Sequence, residues 1–265
     1  MFGKLLKYDF RSMFKQFAFI WPAALVLALV NHFTINSFVT STSEVRGTTA
    51  GISMMIYVAI LMAMFITALV FAIQRFYKGL LGDEGYLMHT LPVKPWQLIG
   101  SKLLCAVITT FLSVIVAVVS VFIIMPWERE DFQQLFYGLR YLFSHWDSDM
   151  TNALLALLES LLMMLVSFAT GFLQLYLAMS IGHLLNKNRV AFSVVAFIAI
   201  NAVMTTLLSI IGPRMEHILN NIVGNWDSIA SYHATIWVVI AGELVVSAVY
   251  FAGTEFILRK RLNLE

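Results

Sequence analysis

Six apolar runs dominate the chain: about Phe17 to Val39, Gly51 to Ile73, Leu103 to Met125, Ala153 to Ile181, Val190 to Ile211 and Ala234 to Leu258. Each reaches the roughly 20 residues that a helix needs to cross a hydrocarbon core about 30 Å thick. Nothing this apolar and this evenly divided folds as a soluble domain. The 265 residues are 60% hydrophobic and 12% charged, whereas soluble domains are nearer half and a quarter. The fold expected is an all-α membrane protein, one transmembrane domain over residues 1–265 with six transmembrane helices. The single cysteine, Cys105, lies inside an apolar run, which points to packing and leaves no disulfide framework or thiolate metal site.

An even number of spans puts both termini on one side, and the lysines and arginines say which. Lys4, Lys7, Arg11, Lys15, Arg75, Lys78, Lys94, Lys102, Lys187, Arg189, Arg259, Lys260 and Arg261 fall on the side of the termini. Only Arg46, Arg129, Arg140 and Arg214 fall on the other. The richer side is cytoplasmic by the positive-inside rule, making the chain a multi-pass protein of a cell membrane with both ends inside. The net charge of +2 carries no sign of a nucleic-acid partner.

Residues 1–16 place Lys4, Lys7, Arg11 and Lys15 on one helical face, with Phe2, Leu6, Phe10 and Met13 roughly opposite. A basic amphipathic helix of this kind lies in the headgroup plane and binds anionic membrane lipids. Outer loops are expected at 40–50, 126–152 and 212–233. Within 126–152, Phe132, Leu135, Phe136, Leu139, Leu142 and Phe143 recur at helical spacing, which predicts a helix resting on the outer surface. Met215, Ile218, Leu219 and Ile222 repeat that spacing after the fifth span.

The cytoplasmic loop 74–102 is too short for a catalytic domain and too patterned for a linker. Gly79 and Gly82 loosen the helix leaving the second span. Asp83 and Glu84 then stand where a short helix would begin, matching the positive end of its dipole, and Tyr86, Leu87, His89 and Thr90 fill its turns up to Pro92. Pro95 suits the first turn of a second helix running into the third span. The first of these helices has an acidic start and an aromatic and aliphatic face, as a helix docking into a groove of a soluble partner does.

Polar groups within the spans are the other candidates, because they are costly in lipid and face a cavity or a partner. Asn31 and His32 lie in the first run, Glu159 and Gln174 in the fourth, Asn201 in the fifth and Glu243 in the sixth. They read either as a hydrated substrate path or proton relay, or as interhelical hydrogen bonds. The Walker A pattern is absent, so this chain does not bind ATP through that loop; the zinc helix H-E-x-x-H and the glycine-flanked serine of a nucleophile elbow are absent too. The chain is therefore expected not to be an enzyme.

The order of elements resembles the six-span permease subunits of bacterial ABC exporters, especially those of Gram-positive bacteria. The specific part of the likeness runs from Arg75 to Lys102, through Gly82-Asp83-Glu84-Gly85-Tyr86-Leu87 and Leu91-Pro92-Val93. The resemblance implies a dimer of permease chains, homomeric or mixed, in the plasma membrane. It also implies two copies of a separate ATPase subunit, which would carry the ATP and Mg2+. The loop between the second and third spans becomes the coupling helix, contacting that subunit through Asp83, Glu84, Tyr86, Leu87, His89 and Thr90, and residues 1–16 become the interfacial connecting helix. The substrate expected is amphipathic or hydrophobic, a peptide or antimicrobial before a lipid. An ion-coupled secondary transporter using Glu159 and Glu243, and a non-transport scaffold or sensor, are the alternatives.

Overall fold

A computed structural model describes residues 2–39, 44–82, 94–125, 129–144, 146–185, 188–223 and 229–260. Among them the chain forms seven α-helices: α1 (Phe2–Val39), α2 (Glu44–Phe76), α3 (Pro95–Ile124), α4 (Arg129–Ser144), α5 (Ser148–Gly182), α6 (Arg189–Val223) and α7 (Ile229–Lys260). All but α4 are long and apolar enough to cross a membrane. The chain is thus an all-helical, polytopic membrane protein.

Two expected boundaries are not breaks. Residues 2–16 continue without interruption into the first span as α1. No helix breaker stands between Gly3 and Pro22, and on this stretch the basic face is exposed while Met13 and Phe17 are buried. That apolar face packs on protein. Likewise α6 runs through Pro213 to Val223, so the apolar spacing after the fifth span belongs to the span's own helix. Proline forfeits one hydrogen bond there without ending the helix. Within 126–152 a helix forms as expected, α4, with Phe132, Phe136, Tyr137 and Tyr141 exposed.

The chain divides into two compact units, one of Met1–Leu6, Ala72–Val107 and Ser148–Glu265 and one of Lys7–Phe71 and Ile108–Asp147. In the second, each pair of spanning helices is tied by side-chain hydrogen bonds. The Trp21 indole donates to Ser113 Oγ at 3.1 Å (α1 to α3), and Tyr57 OH pairs with Ser120 Oγ at 2.7 Å (α2 to α3). Asn31 is completely buried and fully used: its amide donates to Leu27 O and Ser53 O, and its oxygen accepts from Ser53 Oγ at 3.0 Å (α1 to α2). Lipid tails are as apolar as leucine, so packing and such bonds hold these helices where hydrophobicity cannot. Each tie contributes about 0.6 kcal/mol on average.

The first unit has the larger core. Phe76 at the end of α2 stacks face to face on Tyr176 of α5, centroids 4.0 Å apart and planes 7° apart, and both rings are fully buried. Around them pack Leu80, Leu81, Leu98, Ile99, Leu173 and Leu258. Leu80 and Leu81 lie past the end of the second apolar run, where water begins. Removing each from it stabilises by about 1.5–3 kcal/mol.

Candidate functional site

The end of α2 departs from α-helical geometry. Tyr77–Leu81 form a π-helical turn, closed by Gly82 N–H donating to Tyr77 O at 2.8 Å, after which Gly82 is extended. π-turns recur at functional sites. Gly79, expected to loosen this helix, lies beneath the buried Lys102 side chain: a Cβ there would stand 2.7 Å from Lys102 Nζ, the movable end of that chain. Lys102 thus brings the root of α3 against the end of α2. Pro95 opens α3 in its first turn, as the sequence requires. The proposed docking residues Asp83, Glu84, Tyr86, Leu87, His89 and Thr90 lie outside the described residues. Their two roots, Tyr77–Gly82 and Pro95–Lys102, are held in one buried core with α5 and α7.

A second constellation runs along the face where α5 packs against α7. Glu159 of α5 accepts two bonds from α7, from His233 Nδ1 at 2.6 Å and from the Trp237 indole at 2.9 Å. Ser160 pairs with Tyr232 beside it. Eight residues further along α5, about 12 Å, Ser167 Oγ donates to the Glu243 carboxylate, 2.8 Å from either oxygen. Thr170 and Ser247 follow at 2.7 Å. Gln174 lies one turn beyond, its buried Nε2 without a hydrogen-bond partner among the described residues. From Ser160 these α5 positions step by seven, three and four residues, so the helix repeat aligns them into one polar seam.

The sequence candidates therefore separate. Glu159 and Glu243 share the seam, with Gln174 continuing it. Asn201 does not join them: it is exposed on α6 and bonds back to Phe197 O of its own helix. Asn31 is a structural tie in the other unit, and His32 there keeps a buried Nδ1 without a hydrogen-bond partner among the described residues. Lys4, Lys7, Arg11 and Lys15 are all exposed along α1. Sequence reasoning had placed His233 in an outer loop; it stands inside α7 with Nε2 buried and unbonded among the described residues.

Comparison with family models, with curated proteins and with solved structures finds no match to this chain.

Proposed function

We propose that the chain is the membrane-spanning permease subunit of a bacterial ABC exporter, with both termini cytoplasmic. It moves an amphipathic or hydrophobic substrate outward, powered by a separate ATPase subunit docked on residues 83–91. The observation that carries this reading is mechanical: both roots of the cytoplasmic segment are locked into the same buried core as α5 and α7. A partner that pushes on the segment therefore moves two further spans with it, because a packed core shifts as a block. The chain's own contribution is a lever and a path; ATP and Mg2+ belong to the partner.

The test is a pull-down from native membranes through a C-terminal tag. A stoichiometric soluble subunit with a Walker A motif is expected, its ATP hydrolysis stimulated by the permease. The double substitution Glu84→Arg, Leu87→Asp should abolish that stimulation and leave the chain inserted. Unchanged hydrolysis would overturn the docking assignment.

The polar seam favours a second reading, ion-coupled transport through Glu159 and Glu243, since both carboxylates lie within spans and one is paired with a histidine. Transport by the purified chain in vesicles under a proton gradient, without any ATPase and lost in Glu243→Gln, would replace the first reading with this one.

A further inference from the structure

At the lysine- and arginine-rich end of the first unit, α2, α5 and α6 enclose a cleft of about 410 Å³. That is within the range of sites for small ligands, about 300–1,000 Å³. Its wall is graded by depth. Lys78 and Gln74, both exposed, stand at the mouth, beyond or at the end of the second apolar run. Ile73, Leu175, Met179, Val194 and Phe197 line the remainder, and Phe197 lies eight residues into α6 from Arg189, about 12 Å deeper along its axis. Among the described residues, Lys78 is the one charged residue in the lining, which is otherwise almost wholly apolar.

The α5 and α6 walls are fixed, because Gly182 lets the end of α5 touch Ser193 and the backbone of Arg189. The cleft is therefore a formed groove and not a gap between loose helices.

A cation at headgroup level above an apolar slot that descends into the hydrocarbon is complementary to one kind of molecule. We propose that the cleft holds a single anionic phospholipid of the leaflet on the lysine- and arginine-rich side. Its phosphate lies at Lys78, and one acyl chain follows Leu175, Val194 and Phe197 inward. A neutral detergent would satisfy the slot alone and a soluble anion the mouth alone, while a zwitterionic lipid brings the phosphate together with a cation that offsets its attraction to Lys78. The inference requires only that the helices span a membrane, and stands apart from the exporter reading.

Native mass spectrometry of the purified, lipid-depleted full chain, titrated with phosphatidylglycerol and phosphatidylcholine of identical chains, tests it. One phosphatidylglycerol per chain should be retained about five-fold more strongly than phosphatidylcholine, as one surface lysine acting on an anionic lipid implies. Lys78→Ala, an exposed position whose change should leave the thermal midpoint unmoved, should erase that preference. Val194→Trp should lower retention of both lipids. Equal retention of the two lipids by the wild type, or an undiminished preference in Lys78→Ala, would overturn the proposal, and Lys78→Ala decides even if Val194→Trp fails to fold.

Discussion

His183, just past the end of α5, is enclosed to 4% exposure with its ring edge-on to Tyr77 at 5.0 Å. Neither ring nitrogen has a hydrogen-bond partner among the described residues. Burial first, and the Arg189 charge second, hold its pKa below the ordinary 6.5. The unfolded chain thus binds the proton more readily than the folded one, and stability rises with pH between the lowered value and 6.5. Acidification from pH ~7.5 to ~5.5 should lower the unfolding midpoint, by about 2–4 °C for each 1 kcal/mol of linkage. His183→Phe should flatten that dependence. Identical pH profiles for the two proteins would remove His183 as its source. At this scale the sequence showed where polar groups sit and not what they meet. Glu159 and Glu243 are conspicuous because carboxylates are rare in apolar runs. Their partners Ser167, His233 and Trp237 are ordinary residues for a span or its end, lying 74 to 78 positions away in the chain. Only the packing of α5 on α7 introduces them.

At the scale of elements, the turn from α5 to α6 depends on Gly182. An added Cβ would stand 2.6 Å from Ser193 N and 2.7 Å from Arg189 O, both backbone atoms that cannot swing aside, and would meet Ser193 Oγ as well. Gly182→Ala should therefore cost about 1–3 kcal/mol by overpacking. Gly171→Ala on the same helix meets nothing and should be neutral or stabilising by up to about 1 kcal/mol. Thermal melts in detergent separate them, and equal midpoints would refute the steric account. The spans were legible because length and hydropathy decide them. Continuity was less so: lysines read as a headgroup helix in residues 1–16, and the fifth apolar run ends at Ile211, yet α1 and α6 each continue as one helix across those boundaries. The π-turn at Tyr77–Leu81 left only Gly79 and the Gly82 that follows it as a trace, and the approach of Lys102 to Gly79 is a contact no local pattern encodes.

For the whole molecule, six spans and the lysine and arginine distribution make one statement about topology. With Cys105 replaced by serine, a cysteine at Arg46 should react with an impermeant maleimide from outside intact cells. One at Lys187 should react only after permeabilisation; the reverse pattern would invert the protein. The seam between α5 and α7 has a further consequence in the order of manufacture. Glu159 leaves the ribosome 74 residues ahead of His233, and Ser167 precedes Glu243 by 76. At about 5–20 residues per second, α5 waits on the order of 4–15 s with an unpaired carboxylate. During those seconds the insertion machinery must shelter a helix that the finished protein no longer needs sheltered. Slowing synthesis between residues 182 and 233 lengthens that wait and is expected to lower the yield of folded chain, which expression with rare codons over this interval would measure.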